Sequence, residues 1–146
     1  MSKPWVDVVY CEDIRFEKSG QTSIIGVLPA AIGIPSFPHV IPKLGIWLRV
    51  RVERGSRIGS AKLQVVADSG KALADMEISE QDFANQLSEI EKVGLLPGEA
   101  ESVEIGINCI ISPVVFDGET AIRTKLVIDG EEYTCPSMAV RLQASR

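Results

Sequence analysis

The sequence predicts an all-β protein, an antiparallel β-sandwich of about eight strands with one short helix. Two observations favour this class: short apolar or alternating stretches recur along the chain, and turn residues separate them. The pattern does not alternate strands with long helices, which disfavours an α/β nucleotide-binding fold. The immunoglobulin-like and C2-like topologies are the two candidates. Because 146 residues suit one hydrophobic core, we expect a single domain over residues 1–146.

The first elements are a predicted hairpin and a proline-rich arm. Residues 5–17 and 22–28 are expected to form two paired strands around a short turn. Residues 29–42 hold four of the eight prolines, which remove backbone donors and exclude a helix. We expect this arm to cross from one sheet to the other, with Phe37 and Val40 anchoring it on the core.

Residues 45–53 alternate between apolar and polar side chains and predict one long strand. The apolar positions are expected to face the core: Ile46, Leu48, Val50 and Val52. Three residues of the opposite face form a candidate partner-binding site, because an aromatic residue flanked by two arginines is typical of interaction hot spots: Trp47, Arg49 and Arg51. Two alternatives remain open: acidic residues of adjacent strands pair with this face, or the helix covers it.

The middle of the chain predicts a second hairpin followed by the helix. Strands at residues 61–67 and 72–78 flank a tight turn that contains Gly70. Ser79 can cap a helix, and three apolar residues then recur at helical spacing: Phe83, Leu87 and Ile90. Gly94 ends the helix, which we expect to plug the fold or cover a sheet edge.

Three further strands are predicted in the last third of the chain, at residues 102–115, 121–128 and 132–142. Asp-Gly pairs separate them at 117–118 and at 129–130. Both pairs are typical of two-residue hairpin turns, so we expect consecutive strands to pair there.

Charge and hydropathy limit the classes of partner. The net charge is −5, with a basic block at residues 43–62 (net +5) and an acidic block at residues 68–104 (net −8). An acidic chain with few aromatic residues argues against nucleic-acid binding. No apolar run approaches the roughly 20 residues that span a bilayer, so we expect no membrane partner. The first residues do not have the pattern of a signal peptide, and we expect a cytoplasmic protein.

The residues that could support chemistry are sparse. The three cysteines, Cys11, Cys109 and Cys135, are far apart and are expected to be buried thiols. His39 is the single histidine, so we expect neither a metal site nor a cofactor. A hydrolase that uses His39 is the least favoured hypothesis, since no nucleophile motif supports it. Glu12 and Asp13, together with His39 in the proline arm, are candidates for a ligand or cation site.

Several segments have the character of a family signature. They are Tyr10–Arg15, Ser23–Val27, Pro35–Pro38 and Ile41–Leu44. With the Asp129-Gly130 turn and the last strand, they resemble an uncharacterised family of small bacterial and bacteriophage proteins, a domain of unknown function. The resemblance covers most of the chain and implies a β-sandwich. It carries over no substrate and no catalytic residue.

These residues are compatible with three functions. The preferred one is a non-enzymatic module of bacterial or phage origin that binds a protein partner or associates with itself. Its motivation is the Trp47, Arg49 and Arg51 face together with the split charge. The alternative is a sandwich that binds a small ligand or a cation, and the least favoured is the hydrolase.

Overall fold

A computed structural model describes residues 3–99 and 101–143, which are mostly β with one helix. In this part of the chain the strands of the first half are β1 Trp5–Phe16, β2 Thr22–Val27, β3 Ala31–Ile34, β4 His39–Ile41, β5 Leu44–Glu53, β6 Ser60–Ala67 and β7 Ala72–Ser79. The helix α1 spans Glu80–Glu91, and the strands that follow are β8 Ser102–Ile111, β9 Val114–Phe116, β10 Thr120–Ile128, β11 Glu131–Thr134 and β12 Met138–Leu142.

The strands form three sheets that do not close into a barrel. Sheet A has four strands in the order β2-β1-β5-β8, and all its neighbours are antiparallel. Sheet B has the order β3-β12-β10-β6-β7, with β11 paired to β10 as well. The third sheet is a short ribbon of β4 and β9. Sheets A and B bury residues in one shared hydrophobic cluster. The outer face of each sheet is therefore the face that can contact a partner or a ligand.

The long central strand behaves as its pattern predicts. Ile46, Leu48, Val50 and Val52 of β5 are buried in the shared cluster. On either side β1 and β8 pair with β5 over nearly its whole length. The alternation of side chains along a strand therefore fixes which residues of β5 reach the outer face.

The proline arm holds two short strands, and the predicted count of about eight strands is too low. The described residues contain twelve, because β3, β4, β9 and β11 are additional short elements. The pairing of β3 with β12 is parallel. The prediction of a purely antiparallel fold is therefore wrong at this pair of strands. Prolines on both sides of β3 and of β4 explain why these strands are only four and three residues long.

Of the two residues expected to anchor this arm, only one reaches the core. Phe37 packs against the hydrophobic cluster, whereas Val40 is 54% exposed. Val40 pairs with Val115, which is also exposed, while Val114 of the same ribbon is buried. The prediction for Val40 is wrong because the ribbon turns the opposite face of β4 toward the core.

The two Asp-Gly pairs have different outcomes. Asp129 and Gly130 both have positive φ values, 48° and 84°, and they connect β10 to β11 as a hairpin, as predicted. Asp117 and Gly118 do not make a hairpin, since β9 pairs with β4 and β10 with β6. Neither of these two residues has the positive φ that the tight hairpin turn requires.

The helix forms as predicted and covers an edge of sheet A. Ser79 caps it, and the Ser79 and Asp82 side chains each accept a hydrogen bond from the other residue's backbone N–H. Phe83 is fully buried in the core. Gln86 binds the backbone of Gly106 on the edge strand β8 twice: its Nε2 donates to the carbonyl at 3.0 Å, and its Oε1 accepts from the N–H at 3.1 Å. The side-chain amide thus replaces a neighbouring strand at that point.

Candidate functional site

The outer face of sheet A brings the three predicted partner-binding residues next to residues of two other strands. Across the sheet, Arg51 lies between Trp5 of β1 and Glu104 of β8. In the next row Arg49 lies between Asp7 and Gly106. Side chains in such cross-strand rows are near enough to interact.

Two tryptophans and two arginines stack on this face, and we call Trp5, Trp47, Arg49 and Arg51 the Trp–Arg cluster. The guanidinium carbon of Arg49 lies 5.8 Å from the centre of the Trp5 ring and 5.6 Å from that of Trp47. The guanidinium carbon of Arg51 lies 5.2 Å from the centre of the Trp5 ring. Each contact is in the range of a cation–π interaction, which contributes about 0.5–1 kcal/mol at exposed sites.

Carboxylates of the neighbouring strands balance the charge of the cluster. Arg51 donates a hydrogen bond of 2.8 Å to Glu104. Arg49 is held more loosely, with its nitrogens 3.5 Å from Asp7 and 4.0 Å from Glu104. Acidic residues of adjacent strands therefore pair with this face, which is one of the two alternatives that the sequence left open. The cluster is nevertheless partly exposed.

A recess of about 660 Å³ opens beside the cluster, and we call it the outer recess. Its floor is formed by β5 and β8, where Trp47 lies so close to Gly106 that a β-carbon there would be 3.2 Å from the indole nitrogen. Its walls are the β1–β2 hairpin on one side and α1 on the other, with these lining residues: Phe16, Gln21, Thr22, Ser23 and Gln86.

Two polar atoms in the outer recess lack a hydrogen-bond partner among the described residues. They are Nε of Arg49, a donor, and Oδ1 of Asn108, an acceptor, and both are shielded from solvent. Most buried polar atoms in proteins are paired, so these two atoms are exceptions among the residues that line the recess. The polar side chains that line the recess can form hydrogen bonds with a small polar group.

The sequence did not identify three residues of this site, namely Trp5, Gln86 and Asn108. Trp5 lies at the start of a strand far from β5 in sequence, and its row depends on which strands pair. Gln86 and Asn108 are common polar residues on a helix and a strand. Their positions follow from the contact between α1 and β8, which no local pattern predicts.

The candidate ligand or cation residues do not come together as a group. Asp13 accepts hydrogen bonds from Lys43 at 3.1 Å and from Arg15 at 3.2 Å. These hydrogen bonds lower the pKa of the Asp13 carboxyl, Lys43 contributing most. Glu12 is exposed and its side chain lies over Gly26, while His39 lies in the β4–β9 ribbon. Among residues 3–99 and 101–143 no three His, Cys, Asp or Glu side chains form a group that could hold a metal ion.

The three cysteines are buried free thiols, as predicted. Burial raises the pKa of the Cys135 thiol to about 11, and burial is also the main cause of the raised pKa values of Cys11 and Cys109. At neutral pH all three are therefore protonated and weakly nucleophilic.

The described residues contain one helix, α1, and with twelve residues it is too short to span a membrane.

These features define a mostly β protein with an aromatic and cationic cluster beside a polar recess. The chain belongs to the family of unknown function DUF6941, whose model matches residues 7–141. The resemblance to a domain of unknown function is thereby confirmed. No curated protein matches the sequence.

Proposed function

We propose that this protein is a non-enzymatic module of bacterial or phage origin that binds a protein partner through the Trp–Arg cluster. The scaffold that we propose for this role is a β-sandwich, which the hydrophobic cluster shared by two sheets supports. The choice between immunoglobulin-like and C2-like topology stays a prediction. The observation that carries the proposal is the stack of Arg49 between Trp5 and Trp47 at the open face of sheet A.

The composition of the cluster supports a protein partner. Tryptophan and arginine are the residues most enriched at binding hot spots. A stacked guanidinium is also held in place before binding, so less side-chain entropy is lost on association. The ion pairs with Asp7 and Glu104 leave this face without a large net charge. A partner would therefore be recognised by shape and hydrogen bonding more than by charge.

The chemistry of the reactive residues supports a non-enzymatic role. Cys11, Cys109 and Cys135 are buried thiols with raised pKa values. His39 lies in the β4–β9 ribbon, away from the outer recess. A nucleophile with a base within hydrogen-bonding reach is the usual sign of covalent catalysis, and these residues do not form one.

Alanine substitutions in the Trp–Arg cluster should weaken binding of the partner. We expect the double variant Trp5→Ala/Arg51→Ala to recover at least about tenfold less of the wild-type partner, a loss typical of one modest hot spot. The measurement is affinity capture from the source organism followed by quantitative mass spectrometry. Because the side chains of Trp5 and Arg51 are each about half exposed and lie outside the core, the variant should stay folded, which circular dichroism checks.

A matched control is available on the opposite side of the molecule. Lys62 and Lys125 are partly exposed residues of sheet B, each with an acidic neighbour. The variant Lys62→Ala/Lys125→Ala should recover as much partner as the wild type. Equal recovery by the cluster variant and this control would contradict the proposal.

A small polar ligand in the outer recess is the second candidate function. The polar lining of the outer recess, which includes Arg49 and Asn108, favours it, and about 660 Å³ is in the range of small-molecule sites. A thermal-shift screen with nucleotides, sugars and calcium tests this candidate. A true ligand at about 100 times its Kd should raise Tm by about 5–10 °C. The shift should vanish in Asn108→Ala, and a screen without any such shift would remove the candidate.

A further inference from the structure

We infer that β2 is a self-association edge at which a second copy of this chain adds its own β2 in antiparallel orientation. This surface differs from the Trp–Arg cluster and does not depend on the function proposed above. The two edges of sheet A differ in whether another element covers them. The β8 edge is covered by Gln86 of α1. The β2 edge pairs with β1 on one side only, and its extensive contacts are all with β1.

The backbone of β2 offers hydrogen-bonding groups to a further strand. Glu17 N–H donates to the Gln21 carbonyl at 2.8 Å, so this pair of residues is hydrogen-bonded across the hairpin. Antiparallel pairs alternate, and therefore Thr22 and Ile24 point their N–H and C=O groups away from β1. The N–H of Ile14, opposite Ile24, agrees with this alternation because it donates to the Asp13 side chain instead.

The side chains of β2 favour association. The strand reads TSIIGV and has no charged residue and no proline, which are two of the several devices that protect exposed edges. Ile25 and Val27 are exposed on β2, and Phe16 is exposed on the β1 strand beside it. A strand with these properties is a ready template for pairing.

Charge and symmetry indicate that the added strand comes from a second copy. Two β2 strands related by a two-fold axis near Ile24 place the hairpin tip, with Lys18, toward the Gly26 end of the partner copy. Glu12 is exposed at that end, with its carboxylate against Gly26. Lys18, next to Glu17 at the tip, and Glu12 are thus brought to the same end of the contact twice, in a closed, self-complementary arrangement. The result is a continuous eight-stranded sheet, and the interface belongs to the small, reversible class below about 1,200 Å².

Sedimentation velocity of the full chain over a dilution series tests the inference. We expect a reversible dimer whose population rises with protein concentration. Val27→Lys should weaken the dimer at least about tenfold, because it places a charge on the added-strand edge. Val93→Lys is the matched control: Val93 is 74% exposed and Val27 is 65% exposed, and Val93 lies in the loop after α1. This control should dimerise like the wild type.

Two further measurements locate the contact. Ile24→Pro removes an outward N–H that β1 does not use, so it should abolish the dimer while leaving the hairpin paired. The amides of Thr22 and Ile24 should exchange with solvent more slowly as concentration rises. Three results would overturn the inference: a monomer at every concentration, equal dimerisation by Val27→Lys and Val93→Lys, or a dimer in which these two amides stay unprotected. Since Val27→Lys and the exchange measurement suffice, a misfolded Ile24→Pro would not weaken the test.

Discussion

Replacing Phe83 by alanine should lower the free energy of unfolding by about 3–5 kcal/mol, the usual cost of deleting a buried aromatic ring. Phe83 is the one residue of α1 that is fully buried, and it packs in the cluster shared by both sheets. Leu87 and Ile90 of the same helix are only partly buried. The loss should therefore be large for a single helix position, and urea unfolding followed by circular dichroism measures it.

The same variant should also uncover the edge of β8. Gln86 reaches Gly106 only while α1 is held against the sheet, and Phe83 is its main anchor. We expect faster hydrogen exchange at the Gly106 amide. Val93→Ala, in the exposed loop after α1, is the control and should change the unfolding free energy by less than about 0.5 kcal/mol. If Phe83→Ala costs less than about 1 kcal/mol, the helix does not share the core as the structure indicates.

Local patterns were enough to predict the elements whose signals are strong. The alternation of residues 45–53 placed Ile46 to Val52 in the core, and all the apolar residues of that face are buried. Ser79 and the spacing of Phe83, Leu87 and Ile90 predicted the helix and its start. These features depend on side-chain period and capping, which act within a few residues.

The candidate site could be predicted only in part, because its geometry is non-local. Trp47, Arg49 and Arg51 follow from the alternation of one strand. Trp5 joins them through the register between β1 and β5, and Asn108 through the register between β5 and β8. A sequence pattern predicts strands but not their neighbours, and a shift by one residue would turn each of these side chains to the other face.

The failures in the last third of the chain have the same cause. Asp117-Gly118 is a hairpin sequence, yet the strands on its two sides do not pair with each other. The strand before it, β9, pairs with β4, and the strand after it, β10, pairs with β6. Residues 132–142 were predicted as one strand and are split between β11 and β12 around Pro136. Tertiary pairing decided both outcomes over the local signal.

Removing the hydroxyl of Tyr10 should cost about 1–3 kcal/mol, because it leaves buried polar groups without partners. The Tyr10 hydroxyl lies 2.7 Å from Oγ1 of Thr124 and 3.1 Å from the Pro136 carbonyl oxygen. A carbonyl can only accept, so Tyr10 donates to Pro136 and Thr124 donates to Tyr10. Burial raises the pKa of Tyr10, which keeps its proton in place. Tyr10→Phe therefore deprives Thr124, a fully buried residue, of its acceptor.

A double-mutant cycle separates this contact from the loss of packing. Thr124→Val removes the buried hydroxyl but leaves Tyr10 bound to Pro136, so it should cost less than Tyr10→Phe. In Tyr10→Phe/Thr124→Val no unpaired hydroxyl remains, and the total loss should be smaller than the sum of the two single losses. We expect a coupling energy within the range of about 0.5–3 kcal/mol that contacting residues show. Additive losses in urea unfolding would mean that this hydrogen bond between β1 of sheet A and β10 of sheet B does not help to hold the two sheets together.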